Sequence, residues 1–230
     1  ADFRFTGDVF AMPEGTPVFG NEPILEIVAP LPQAQLVETF VMNQIHLQTL
    51  IASKAARVVA AAQGRDVVEF GARRIHGTGT AIHAARASYI AGATATSNVA
   101  AGKEFGLPVV GTMAHSYVQA FGSEVEAFRT FTRHFPETTL VVDTYDSLAG
   151  VSRVVDLSRQ LGEDFRVRAI RLDSGDLGEL AKAARKLLDD AGLDRVSIFA
   201  SGGLDEDSIA DVVAIGGPID AFGVGTRMGV

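Results

Sequence analysis

From Gly64 onward, short runs rich in valine and isoleucine alternate with longer amphipathic stretches in one regular order. The runs are Val67–Phe70, Pro108–Gly111, Leu140–Val142, Val167–Arg171, Val196–Ala200 and Ile219–Val224, with a weaker one near Ala93–Thr96. Helical stretches lie between them: Ala81–Ala91, Glu124–His134, Asp146–Leu161, Leu177–Ala191 and Asp205–Ile215. A strand that returns parallel to its predecessor needs a crossover, so this alternation predicts an α/β chain whose parallel sheet has right-handed connections. Two closures satisfy it, an open doubly wound sheet and a β/α barrel. About seven strand–helix units are present, and no helix follows the last run. An eight-unit barrel would be incomplete here, so the chain reads as a segment.

The first part of the chain has a different character. Residues 1–30 hold short extended runs around Phe3-Arg4-Phe5, Asp8-Val9-Phe10 and Ile24–Val28, separated by glycine and proline, which predicts a β-rich segment of two or three strands. A long helix follows over about Gln33–Ala62, with Pro32 in its first turn and Gly64 at its close. Leu36, Val37, Phe40, Val41, Leu47, Leu50 and Ile51 spread over more than one face, so residues 31–64 are expected to be a buried connector. The expected organisation is thus 1–30, 31–64 and a barrel over 65–230.

Composition removes several chemistries. There is no cysteine, which excludes disulfides, zinc-thiolate sites, iron–sulfur clusters and thiol nucleophiles and fits a reducing, cytoplasmic compartment. The net charge of −8 argues against nucleic acid as a partner, and no apolar run approaches a membrane span. No His-x-x-x-His cage, nucleophile elbow or Walker sequence occurs, so no protein metal site is expected.

Polar residues gather just after the strands, the edge where β/α folds bind ligands. Gly71-Ala72-Arg73-Arg74 follows the first run, and Gly111-Thr112-Met113-Ala114-His115-Ser116 the second. Asp143-Thr144, Arg171-Leu172-Asp173-Ser174-Gly175-Asp176, Ser201-Gly202-Gly203 and Gly223-Val224-Gly225-Thr226-Arg227 follow others. Asp173, Asp176 and Asp205 could equally cap the helices that follow them. Arg171, at a strand end, calls for an anion. His46, His83 and His134 read as helix residues, His76 as a loop residue near the mouth, and His115 as the histidine whose ring faces the mouth. Arginines, Gly-rich loops that cradle phosphate, aspartates and one histidine together suit a phosphorylated sugar with a divalent cation.

Eight segments, taken together, resemble nicotinate phosphoribosyltransferase. They are Phe5–Val9 with Pro13–Thr16, Ala34–Thr39, Glu69–Arg74, Thr96–Val99, Gly111–Ser116, Val142–Asp146, Arg171–Leu177 and Phe222–Arg227, in one order along nearly the whole chain. The resemblance implies an incomplete, TIM-like β/α barrel preceded by a small β-rich segment and a long helix. It implies conversion of nicotinate and phosphoribosyl pyrophosphate (PRPP) to nicotinate mononucleotide and pyrophosphate. ATP would be the co-substrate, acting through a phosphohistidine, with Mg2+ and no tightly bound organic cofactor. His115 resembles the phosphorylated histidine, Phe70 the aromatic that stacks on the pyridine ring, and Arg73 and Arg171 the arginines around nicotinate and pyrophosphate. Asp173 resembles the carboxylate on the ribose hydroxyls. Gly202, Gly203, Gly223, Gly225 and Thr226 resemble the 5′-phosphate loops, and Ser116 belongs with the substrate-binding residues.

At Ser97 a neutral donor suits a carboxylate substrate, where an aspartate would suit nicotinamide. A nicotinamide-using relative and a non-catalytic phosphate-binding fragment are the alternatives. Family members carry further residues at both ends, and their N-terminal part supplies a second aromatic from a neighbouring subunit. The expected assembly is therefore a homodimer with a shared active site.

Overall fold

The structure, a computed structural model, describes residues 3–229. Ala1, Asp2 and Val230, at the ends of the first and last expected regions, lie outside the described residues. Two short strands, β1 (Asp8–Ala11) and β2 (Leu25–Val28), pair antiparallel from Asp8↔Val28 to Ala11↔Leu25. Glu14, in the turn after β1, ties this small sheet to the barrel through a bidentate pair with Arg86 at 2.5 and 2.6 Å.

The long helix α1 (Leu31–Ala61) has Pro32 in its first turn, where its missing N–H costs nothing. It ends at Ala62, after which Gln63 and Gly64 both take positive φ and reverse the chain. Its C-terminal half packs on the barrel through Ile51, Ala55 and Val58, and Lys54 and Arg57 both bind Glu206. These cations, the Lys54 hydrogen bond first, hold the Glu206 carboxyl at about 2. The N-terminal half differs from the expected buried connector: Leu31, Leu36, Phe40 and Met42 are exposed. Apolar residues on several faces call for several partners, and only the last turns find them here.

The remaining strands are β3 (Asp66–Glu69), β4 (Ala95–Thr96), β5 (Thr139–Val141), β6 (Ala169–Leu172), β7 (Ser197–Ala200) and β8 (Ala221–Val224). They form one parallel sheet in the order β4-β3-β8-β7-β6-β5. Between them run α2 (Thr78–Ile90), α3 (Val99–Phe105), α4 (His115–Gln119), α5 (Glu124–His134), α6 (Ser147–Leu161), α7 (Leu177–Asp190) and α8 (Glu206–Ala214), with α9 (Thr226–Gly229) after β8. The sheet is a curled, six-stranded partial barrel, which is the incomplete TIM-like form. β8 pairs with β3, which closes one side; β4 and β5 remain as edges.

Residues 108–111 were expected to be a strand and make only one bridge, Val109 to Thr96. Pro108 lacks an N–H, and the side toward β5 pairs with nothing among the described residues, so a ladder does not propagate. A helix was expected to start just after Ser97, and α3 does; the short helices α4 and α9 were not anticipated, because segments of four or five residues hold too little periodicity to read.

Side-chain alternation gives the sheet two faces. Ile170, Leu172, Ile198, Ala200, Phe222 and Val224 belong to the main core that the helices cover. Val68, Ala95 and Phe199, with Phe70 and Ala221, form a separate small cluster on the other face, inside the curl. Gly223 is needed there: a Cβ would stand 2.8 Å from the Phe199 ring and 2.9 Å from Phe70.

Candidate active site

The carboxyl ends of β5, β6 and β7 and the start of α4 bring Asp143, Arg171, Asp173, Ser201 and His115 together. Arg171, inward on β6 and 14% exposed, spreads its guanidinium over three partners. Nε donates to Ser201 Oγ at 2.7 Å, Nη1 to Thr112 Oγ1 at 2.8 Å and Nη2 to Asp173 Oδ1 at 2.6 Å. Ser201 Oγ in turn donates to Asp173 Oδ1 at 2.6 Å. The anion that the sequence called for is therefore in part supplied by Asp173 itself.

His115 is the first residue of α4 rather than a loop residue. Its Nδ1 lies 3.1 Å from Thr144 Oγ1 and its Nε2 3.3 Å from Asp173 Oδ2. Asp143 sits behind this pair. Its Oδ2 accepts from Asp173 N–H at 2.9 Å and Ser174 Oγ at 2.5 Å, and its Oδ1 is buried, unpartnered and 3.9 Å from His115 Nε2. Burial pushes the Asp173 carboxyl up. Hydrogen bonds from Ser201 and Arg171, the Arg171 charge and the His115 bond outweigh it and hold the group below its ordinary value.

The helix-cap question separates cleanly. Asp176 caps α7 by accepting from Glu179 N–H at 3.1 Å, and Asp205 closes a capping box with Ser208 on α8. Asp173 caps nothing and belongs to the site.

Phe70 joins the cluster from β3. The Arg171 guanidinium lies 5.9 Å from its ring centre, a cation–π distance, and the Phe199 ring packs at 5.6 Å. Gly202 presses against the Asp173 carbonyl, where a Cβ would collide, and its φ is +99°. Gly203 has φ +71° but open space around it. Gly202→Ala is therefore expected to cost about 2–4 kcal/mol from strain and overlap, and Gly203→Ala only about 1 kcal/mol. Urea midpoints of the two variants test the difference, and equal midpoints would contradict it.

Gly223 backs the Phe70 ring, and Gly225 approaches the Phe70 backbone. Arg73, Ser97, Ser116 and Thr226 stay outside the network: their side chains make no hydrogen bond among the described residues. His46, His76 and His134 are exposed, and His83 packs against Phe105. A cleft of about 540 Å³ opens at the opposite, amino-terminal end of the strands, but its Arg65 and Arg185 are spent on backbone carbonyls.

Sequence reasoning gave no role to Thr112, Asp143, Thr144, Ser201 or Glu69. The first four were visible only as polar residues following strands. Glu69 carried a sharper signal, a carboxylate inside the apolar run Val67–Phe70.

A basic and acidic cluster at the carboxyl mouth of a parallel β/α barrel, flanked by Gly-rich loops, places this chain in the class of β/α barrels with a site at the strand ends. The chain belongs to the phosphoribosyltransferase family described as quinolinate phosphoribosyl transferase, C-terminal domain, which it matches over residues 51–228. Its similar relatives within that class are nicotinate phosphoribosyltransferases. One from Mycobacterium tuberculosis is 62% identical over 99% of this chain and 49% of the relative. One from Bacillus subtilis is 45% identical over 95% of this chain and 45% of the relative. The chain spans about half the length of these curated relatives. Human nicotinic acid phosphoribosyltransferase superposes with a TM-score of 0.89 at 28% identity, over 96% of this chain and 56% of that one. A nicotinate-nucleotide pyrophosphorylase from Pyrococcus furiosus does so with 0.85 at 31% identity, over 98% and 58%.

Proposed function

We propose that the intact protein is a nicotinate phosphoribosyltransferase of NAD salvage, using nicotinate, PRPP and ATP as a cytoplasmic homodimer with a shared active site. The observation that carries this is Arg171, whose guanidinium is paired with Asp173 and also lies over Phe70. A sugar phosphate and a flat aromatic ring would meet at that one residue.

In the reaction the pyridine nitrogen forms a bond to the anomeric carbon of PRPP, and the C–O bond to pyrophosphate breaks with its electron pair leaving on pyrophosphate. Positive charge builds on the ribose and negative charge on the leaving group. Asp173 Oδ2 accepts hydrogen bonds from ribose hydroxyls and faces the positive charge. Arg171 faces the pyrophosphate, Phe70 stacks on the ring with Arg73 nearby, and the backbone N–H groups around Gly202, Gly203, Gly223, Gly225 and Thr226 hold the 5′-phosphate. Among the described residues no cluster of three or more His, Asp or Glu forms a metal cage. Were Mg2+ to enter with PRPP, the unpartnered Oδ1 of Asp143 and Asp173 are the side chains that would hold it. Bound there, it would neutralise charge on the leaving group.

Formation of nicotinate mononucleotide from nicotinate and PRPP by the intact protein is the direct test. PRPP binding with no product would leave only phosphate-ligand binding. Ser97 decides between acid and amide. Two charges at about 4 Å with an effective dielectric near 20 repel by roughly 4 kcal/mol, and a third of that is about tenfold in affinity. Ser97→Asp is therefore expected to weaken nicotinate use and gain nicotinamide use. A ratio of kcat/KM values that moves less than about threefold, under 1 kcal/mol, would show that Ser97 does not face the ring substituent.

A further inference from the structure

We propose that Glu69 is a positioning residue: its buried carboxylate ties the loop carrying Phe70 and Arg73 to the loop carrying Ser97, and so sets the gap in which a flat aromatic acid is held. In naming that ligand it rests on the activity proposed above.

Glu69 is the last residue of β3 and is 1% exposed. Its Oε1 accepts the Gly71 N–H. Its Oε2 accepts from Thr96 Oγ1 at 2.6 Å, and that same hydroxyl accepts the Asn98 N–H at 2.9 Å. The Glu69 carbonyl accepts the Ser97 N–H at 2.9 Å. One residue thus holds the backbone on the far side of Phe70 and both residues after β4. The Ser97 bond is main-chain and closes the β3–β4 ladder at Glu69↔Thr96, whereas the links to Gly71 and, through Thr96, to Asn98 belong to the carboxylate. Among the described residues no other hydrogen bond joins residues 70–77 to residues 97–99.

Burial works against the charge that this arrangement uses. Both partners donate, which suits the ionised form, yet burial disfavours that form and raises the pKa, with the Thr96 and Gly71 bonds only partly offsetting it. A folded pKa above the unfolded one means that its stabilising contribution is lost as pH rises through the folded value. A neutral side chain of the same shape would be cheaper at pH 8. A costly buried acid beside a ligand site is the pattern of a functional group.

Glu69→Gln separates the roles. The amide can accept from Gly71 but must donate toward Thr96, whose own proton then has no acceptor, so the link between the loops loosens. The nicotinate KM is expected to rise about tenfold, the size of one lost hydrogen bond to a charged group. The PRPP KM should change little, and Tm at pH 8 should fall by no more than a few degrees, because relief of the buried charge offsets the Thr96 proton left without an acceptor. Thr96→Val removes the same bond from the other side and should give a similar rise, with the double variant no worse than either single one. Amide hydrogen exchange reads the clamp without substrate: Glu69→Gln should speed exchange in residues 70–77 and 96–99 together. An unchanged nicotinate KM in an active protein, or a parallel rise of both KM values with a lowered Tm, overturns the positioning role. Unchanged exchange in the two loops overturns it as well. Wild-type protein that makes no nicotinate mononucleotide defeats the proposed activity instead, and the exchange measurement still decides the clamp.

Discussion

On the proposed use of ATP, replacing His115 by alanine is expected to abolish any ATP-dependent rate enhancement while leaving a slower, uncoupled reaction measurable. His115 begins α4, with one ring nitrogen held 3.1 Å from the Thr144 hydroxyl and the other 3.3 Å from Asp173. A fixed imidazole with its second nitrogen anchored can offer a lone pair to the γ-phosphorus of ATP; the N–P bond forms as the bond to ADP breaks. Alanine offers no nucleophile, so under the proposed reaction no phosphorylated state would form at this position. A loss of at least tenfold in ATP-supported kcat/KM, about 1.4 kcal/mol, is expected. Pyrophosphate release with and without ATP measures it. Acid-labile phosphate that still appears on the alanine variant would move the phosphorylation to another residue.

Asp173→Ala is expected to be the most damaging single change. It strips Arg171 of its carboxylate and leaves Ser201 and His115 each short of a partner. Breaking a buried ion pair from one side costs about 3–5 kcal/mol, and at 14% and 21% exposure this pair falls at the lower end. For a domain of this size about 3 kcal/mol lowers Tm by roughly 6–12 °C. Loss of the proposed ribose contact, about 1.5–3 kcal/mol, should also raise the PRPP KM far more than the nicotinate KM. Asp173→Asn keeps the shape and isolates the charge. The folded pKa is depressed, so the stability that the charge contributes is present above the ordinary carboxylate pKa. It is lost as pH falls through the folded value. The Tm gap between wild type and Asp173→Asn should therefore be full at pH 7 and close below pH 4. A gap that is flat with pH, or an unchanged PRPP KM, would reduce Asp173 to a packing residue.

Much of this was legible along the chain because it is local. The strands of the barrel fall within a few residues of the Val- and Ile-rich runs, and Glu124–His134 was read to the residue. The polar residues that meet in the cluster could be picked out because they stand at or just beyond strand ends, Arg171 within β6 and Asp173 directly after it. The failures share a cause. Pro108–Gly111 has strand composition, but a strand needs a ladder with at least one neighbour, and against β4 it makes only the single Val109–Thr96 bridge. The apolar faces of α1 announced burial, but burial needs partners that composition does not place.

By itself, then, the sequence determined the alternating parallel architecture, the mouth at which polar residues gather, and the absence of thiol and disulfide chemistry. Tertiary structure alone decided which of those polar residues meet. His115 and Asp173 are 58 residues apart, Glu69 and Thr96 are 27 apart, and Arg171 reaches Thr112 across 59. Contacts at such separations depend on strand order, on β8 lying between β3 and β7, and on the pleat that turns Arg171 inward and Leu172 outward. Local periodicity tells which residues share a face, but not which distant face lies opposite, because that is set by the packing of the whole sheet.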